Sequence, residues 1–320
     1  MKPKVYITRK VPIDLLKELK AVCEVDVWEH DDIPVPRHVL EEKIVDIDGL
    51  FCLLTETIDQ SLLDKANSLK IISNMAVGYN NIDIEAAHKR GITVTNTPGI
   101  LTETTADLTF ALLMATSRRL VESAEYLKKG EWKTWSPMQL TGQDVYGATL
   151  GIVGMGRIGE ALVRRAKGFD MTCIYYNRSR KPQTEKELGV AYAELDDILK
   201  GADFICILTP YTNETKNLIG ERELSLMKST SILINTARGG IVDEIALYEA
   251  LSTNKIWAAG LDVFEEEPVD PTHPLLSLPN VVAIPHIGSA TINTRRKMAE
   301  LAIENLLLGV TNQTPKSVVI

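Results

Sequence analysis

This sequence is poor in the features that would take it to a membrane, a nucleic acid or a metal ion. No uninterrupted apolar run approaches the ~20 residues needed to span a bilayer. Only four cysteines occur, Cys23, Cys52, Cys173 and Cys206, and they stand far apart. No pair has metal-site spacing, and most lie in apolar runs, so they read as reduced core thiols. Positive charge is in deficit: 35 Lys and Arg stand against 43 Asp and Glu, a net charge of −8. That balance argues against general binding to nucleic acid or to an anionic membrane surface. The start, Met1-Lys-Pro-Lys-Val-Tyr-Ile-Thr-Arg-Lys10, lacks the apolar core of a secretory signal. No internal repeat and no low-complexity stretch appears. The expectation is a cytoplasmic protein without metal, nucleic-acid or membrane partners. Its 320 residues favour two domains over one.

What is present is alternation. Residues 5–8, 25–28, 48–54, 69–74 and 91–95 read as strands with helical spacing between them, which implies βαβ units and a parallel sheet. Past one of these strand ends, Met75-Ala-Val-Gly78-Tyr-Asn-Asn81 offers the backbone N–H groups of Val77 and Gly78 to a small anion, or is an ordinary turn. Thr97-Pro98-Gly99 breaks the pattern and marks a first domain boundary. One long helix is expected from about residue 102 to 129, its apolar face carrying Leu108, Ala111, Leu112, Ala115 and Arg119. Gly130 ends it. The loop Glu131-Trp-Lys-Thr-Trp135-Ser-Pro137 follows, and its two tryptophans call for cover by a partner subunit or a cleft.

The second half is built on Thr149-Leu-Gly-Ile-Val-Gly154-Met-Gly156-Arg-Ile-Gly159. An apolar strand ends in a G-x-G-x-x-G turn that opens a helix, the context a dinucleotide fingerprint requires. Gly154 permits the tight turn, Gly156 lets backbone approach a pyrophosphate, and Gly159 lets helix and strand pack closely. Met155, Arg157 and Ile158 complete this candidate cofactor loop, whose helix N-terminus favours phosphate. The next strand, 171–176, ends in Asn177-Arg178-Ser179-Arg180, with no carboxylate for a ribose 2′-hydroxyl. Two guanidiniums and a hydroxyl suit a 2′-phosphate instead. The expected cofactor is NADPH/NADP, with NADH weaker; the competing reading of the arginines is a solvated basic turn.

Further strands, 202–208, 231–235, 257–263 and 280–284, bring chemistry to their carboxyl ends. Thr209-Pro210, Thr236-Ala237 and Gly288 are placed there as further cofactor contacts, and Asp262 as an acceptor for the nicotinamide amide. Of five histidines only His286 follows an apolar strand into a Pro-His-x-Gly-Ser turn. A carboxylate beside an imidazole stabilises its protonated form, which can give a proton to a carbonyl oxygen as hydride reaches carbon. Arg238 can grip a substrate carboxylate and polarise the carbonyl. Among Glu265, Glu266 and Glu267, spacing does not settle which faces the histidine.

In combination these motifs resemble the D-isomer-specific 2-hydroxyacid dehydrogenases over essentially the full chain. The matching runs are Gly151-Ile-Val-Gly-Met-Gly-Arg-Ile-Gly159, Asn235-Thr-Ala-Arg-Gly-Gly240, Gly260-Leu-Asp-Val-Phe-Glu-Glu-Glu-Pro268 and Pro285-His-Ile-Gly-Ser-Ala-Thr291. The resemblance implies that Arg238, Glu267 and His286 are the catalytic residues, with Glu267 as the partner of His286 and His286 as proton donor. It implies that Val77 and Gly78 bind the substrate carboxylate through their amides. The implied fold is α/β, two doubly wound parallel-sheet domains, a Rossmann cofactor domain (100–288) inserted into a flavodoxin-like substrate domain (1–99 and 289–320). Within the family the helix after Thr102 and the loop to Trp135 look most like the glyoxylate/hydroxypyruvate reductases. That implies a homodimer built near 102–140, with Trp135 at the partner's substrate site. The expected reaction is NADPH-dependent reduction of a small 2-oxo acid, glyoxylate or hydroxypyruvate. The alternatives are reduction of 2-ketogluconate or another 2-oxo acid on the same fold, or a dinucleotide-sensing binding protein that turns over slowly.

Overall fold

Strands covered by helices on both faces are buried on both sides and read as unbroken apolar runs. The computed structural model of this protein, which describes residues 2–319, has that pattern in two sheets. The chain divides into two compact units, Met1–Leu101 with Thr291–Ile320, and Thr102–Ala290. In the first, β1 (Lys4–Ile7), β2 (Glu24–Val27), β3 (Gly49–Cys52), β4 (Ile71–Asn74) and β5 (Thr93–Thr95) lie in the order β2-β1-β3-β4-β5. Neighbouring strands pair in parallel. This is the flavodoxin-like winding, whose order reverses between β1 and β3. The helix Ile292–Val310, from the far end of the chain, packs on this sheet. Ser73 Oγ on β4 donates to the Ala302 carbonyl at 2.7 Å, and the backbone N–H of Val319 donates to Val94 of β5 at 2.7 Å.

The second unit holds seven strands: β6 (Thr149–Val153), β7 (Thr172–Tyr176), β8 (Ala191–Tyr192), β9 (Phe204–Ile207), β10 (Ile232–Asn235), β11 (Ala258–Leu261) and β12 (Val281–Ala283). Their order is β12-β11-β10-β9-β6-β7-β8, again paired in parallel. The winding is the Rossmann one, with β6 and β9 adjacent where the order reverses. Apolar side chains fill both faces: Leu150, Ile152, Tyr175 and Cys206 on one, Val153, Ile205, Ile207 and Leu233 on the other. The two-residue β8 carries too little pattern to be read from sequence.

The expected single helix from 102 to 129 is two helices, Thr102–Ser117 and Leu120–Lys128. Arg119 between them adopts φ 52°, left-handed backbone that a helix cannot continue through. Neither glycine nor proline marks the break; the guanidinium of Arg119 is held by both oxygens of Glu122, at 2.7 and 2.6 Å. The buried face also differs from the expected one. Ala111 is exposed and Leu108 and Ala115 are half-buried, whereas Thr105, Ala106, Thr109, Leu112, Leu113 and Thr116 are buried. Threonine serves inside because its hydroxyl finds partners: Thr109 Oγ1 lies 2.8 Å from the Thr105 carbonyl and 2.7 Å from Thr236 Oγ1.

Candidate active site

The glycine turn after β6 is shaped by what approaches it. Gly154 has φ +106°, and a Cβ there would lie 2.5 Å from the backbone nitrogen of Thr209, the residue two past the end of β9. Only glycine meets both demands. At Gly156, by contrast, a Cβ would meet nothing within 4 Å, so open space lies over that backbone. The helix Arg157–Ala166 begins here, and its first amides, those of Arg157 and Ile158, have no acceptor inside the helix. Gly159 packs its backbone against Gly154 and Ile152. Open backbone under unpaired amides is a cradle that fits the pyrophosphate of a dinucleotide.

The neighbouring strand end holds this turn in shape. Asn177 Oδ1 accepts the backbone N–H of Met155 at 2.7 Å, and its Nδ2 donates to the Met155 carbonyl at 3.2 Å. Met155 and Asn177 therefore hold each other, and the Met155 side chain is buried in the core. Arg180 is tied to Glu185 through Nε and Nη2, at 2.8 and 2.7 Å. Arg178 and Ser179 are exposed. Thr209 is half-buried, and the Pro210 carbonyl accepts Thr215 Oγ1 at 2.8 Å.

Three further strand ends carry the reactive side chains. Beyond β10, the Asn235 side chain accepts from Ala237 N (3.1 Å) and donates to the Arg238 carbonyl (2.9 Å), folding the turn that presents Arg238. Arg238 Nη1 donates to the Ala237 carbonyl at 2.7 Å. Thr236 is buried against Thr109. Beyond β12, His286 has φ 51°, and Asp262 at the end of β11 secures that conformation. The Asp262 carbonyl accepts His286 N at 2.9 Å, and its carboxylate accepts the amides of Ile287 (2.6 Å) and Gly288 (2.9 Å). Burial raises the Asp262 carboxyl to about 6; these amides and the His286 charge offset only part of it.

Glu267 is the glutamate that meets the histidine. Its Oε2 lies 2.6 Å from His286 Nδ1, and its Oε1 accepts the Phe264 amide at 3.0 Å. Glu265 and Glu266 are exposed. Burial pushes the Glu267 carboxyl up, but His286, the Phe264 amide and Arg238 outweigh it and leave it below its ordinary value. Burial likewise pushes the Arg238 guanidinium down, against the pull of Glu267. The group is an ionised carboxylate orienting an imidazole, with a guanidinium close enough to feel the same carboxylate.

In the first unit, the turn after β4 is clasped by asparagine amides. Asn74 Nδ2 donates to the Gly78 carbonyl at 3.0 Å, and Asn96 Nδ2 to the Val77 carbonyl at 2.8 Å. Trp132 and Trp135 in the aromatic loop are 57 % and 75 % exposed.

A family model described as the D-isomer specific 2-hydroxyacid dehydrogenase NAD binding domain matches residues 110–288. A glyoxylate reductase of Korarchaeum cryptofilum is 51 % identical over 320 residues, spanning 100 % of this chain and 96 % of that one. The chain belongs to the D-isomer specific 2-hydroxyacid dehydrogenase family. Among solved structures of similar proteins, the TT0316 protein of Thermus thermophilus is 44 % identical, with a TM-score of 0.92 and 99 % and 100 % of the two chains covered. A NADPH-dependent glyoxylate/hydroxypyruvate reductase of Sinorhizobium meliloti, solved with NADP and malonate, is 33 % identical at a TM-score of 0.86, covering 100 % and 97 %.

This D-2-hydroxyacid dehydrogenase is thus an oxidoreductase that works with a nicotinamide dinucleotide and a small substrate. Among its described residues no helix is long and apolar enough to cross a membrane. Sequence reasoning did not single out Asn74, Asn96 and Asn235, the side chains that hold the turns. The available signal was position: Asn74 and Asn235 are each the last residue of a strand, just before a functional turn.

Proposed function

We propose that this dehydrogenase reduces glyoxylate and hydroxypyruvate to glycolate and D-glycerate with NADPH. The observation that carries the reading is the His286–Glu267 bond of 2.6 Å beside Arg238, in a chain half identical to proteins called glyoxylate reductases. The unit Thr102–Ala290 binds the cofactor, and the unit that begins at Met1 supplies the Val77 and Gly78 amides to the substrate carboxylate. The peptides that carry these two N–H groups are held by their carbonyls, Ala76 O by the Thr97 amide at 2.9 Å and Val77 O by Asn96 at 2.8 Å. The bound nicotinamide supplies the hydride.

His286 gives its proton to the carbonyl oxygen. Glu267 holds Nδ1, so that Nε2 is the proton-bearing atom turned to substrate. Arg238 grips the carboxylate and draws charge toward the oxygen, a contribution worth roughly 3 kcal/mol of barrier. Its burial strengthens that pull, because a charge removed from water is less screened. Asp262 keeps the His286 turn in place and retains lone pairs for the nicotinamide amide. Arg178 and Ser179 bind the 2′-phosphate; Arg180, engaged by Glu185, is the weaker contributor. The protein acts as a homodimer formed through the helices and loop near 102–140, with Trp135 reaching the partner's substrate site.

The test compares kcat/KM for glyoxylate with NADPH and with NADH. NADPH should win by about tenfold or more, some 1.4 kcal/mol of transition-state binding. A preference for NADH would remove the 2′-phosphate role from Arg178. No turnover with either would remove glyoxylate as the substrate.

A further inference from the structure

A second imidazole–carboxylate pair, His273 and Glu244, reaches the same turn from outside. Nε2 of His273 lies 3.2 Å from Oε2 of Glu244. Oε1 of Glu244 accepts the backbone N–H of Glu265 at 2.7 Å. One residue earlier, the Phe264 N–H donates to Glu267, which holds His286. The His273 ring packs edge-on against Phe264, with centroids 6.1 Å apart. Gly239 lies against the same peptide: a Cβ there would sit 1.9 Å from the Phe264 carbonyl carbon, so this peptide presses against the residue after Arg238. The peptide between Phe264 and Glu265 is thus held by Glu244 and packed against Gly239. Both members of the pair are largely enclosed, with 25 % and 14 % of their side chains exposed. The inner nitrogen of His273, Nδ1, is buried with no hydrogen-bond partner. A buried polar atom left unpaired costs free energy, which an apolar side chain packed on Phe264 would avoid.

We infer that Glu244 and His273 are positioning residues for the proton donor: they fix the 264–267 turn so that Glu267 stays against His286. The inference rests on the proton-donor reading given above. The charged groups around it are few. Glu244 faces His273 and Glu265, His273 also faces Asp270, and Glu267 faces His286, Arg238 and Asp262. Burial pushes the Glu244 carboxyl up, and the Glu265 amide and His273 counter it only in part. The Glu265 amide and His273 together support Glu244 as a carboxylate, the form that accepts both bonds at full strength.

The test follows glyoxylate reduction with NADPH in the parent enzyme and in His273→Ala, His273→Gln and His286→Gln, with kcat and KM separated and NADPH binding read by fluorescence titration. His273→Ala should lower kcat about tenfold or more, as small misplacements of a reacting group do. It should leave NADPH binding and the KM for glyoxylate unchanged, because the groups that hold cofactor and substrate carboxylate are untouched. His273→Gln, whose amide N–H reaches Glu244, should restore much of kcat. An unchanged kcat, or a lower kcat that His273→Gln does not restore, would reduce the pair to ordinary packing and overturn the inference. Normal turnover in His286→Gln would instead overturn the proton-donor reading, and that result does not involve His273. If His273→Ala does not fold, Glu244→Gln keeps the shape without the charge. Its kcat must then fall with NADPH binding and KM unchanged, or the inference fails.

Discussion

Two residues divide the work at the His286 turn. His286 is the proton donor of the proposed reaction, and His286→Gln should lower kcat by about a hundredfold or more, within the range general acids contribute. NADPH binding, read by fluorescence, should survive, because the glycine turn and its helix are untouched. Asp262 governs stability as well as geometry. Its carboxyl sits at about 6 against 3.8 for an ordinary aspartate, so the folded chain keeps this proton at pH values where the unfolded chain has lost it. The stabilisation is full below the unfolded value and is lost as pH rises through about 6. The parent's thermal stability relative to Asp262→Asn should therefore narrow between pH ~4 and ~7. A gap independent of pH would show that Asp262 ionises as a surface aspartate does. At this scale the sequence was partly legible. His286 stood out because a strand runs into its turn. Glu267 could not be separated from Glu265 and Glu266 by spacing, because consecutive turn residues share no periodicity. What separates them is the Phe264 amide and His286 on the folded side of the loop.

Elements were legible where burial imposes a pattern. The central strands show as apolar runs because both their faces are covered. Their ends show because asparagine, glycine and proline gather there. Periodicity mistakes the buried face of the helix Thr102–Ser117, since three of the residues that point inward are threonines. Their hydroxyls make them acceptable inside, and one of them joins the helix to the end of β10. Thr109→Val keeps the shape but strands the buried Thr236 hydroxyl, so it should cost about 1–3 kcal/mol in a chemical denaturation experiment. A cost near zero would mean that Thr236 finds another partner. The break at Arg119 was invisible for a different reason: the left-handed residue is an arginine held by Glu122, where sequence rules look for glycine.

At the scale of the whole molecule, the stretch 120–138 carries six exposed large apolar side chains. Leu120, Val121 and Leu127 on the helix Leu120–Lys128, and Trp132, Trp135 and Met138 after it, are each about half to three-quarters exposed. These side chains are the ones the proposed dimer would cover. The double substitution Leu120→Glu with Leu127→Glu should convert the proposed dimer to chains of 35.4 kDa, read by size-exclusion chromatography with light scattering. A parent protein that already elutes at that mass would refute the dimer.

The path of the chain through its two units also sets an order of assembly during synthesis. The unit Thr102–Ala290 is one uninterrupted segment, whereas the other needs both ends of the chain. Ser73 waits for Ala302, and Val94 waits for Val319. On a ribosome, where domains fold as units while they emerge, the segment with Arg238, Glu267 and His286 has all its strands in hand first. The opening hundred residues, though made earliest, must hold their exposed apolar strands open until the last helix arrives. That interval, rather than the finished fold, is when this chain has most need of a chaperone.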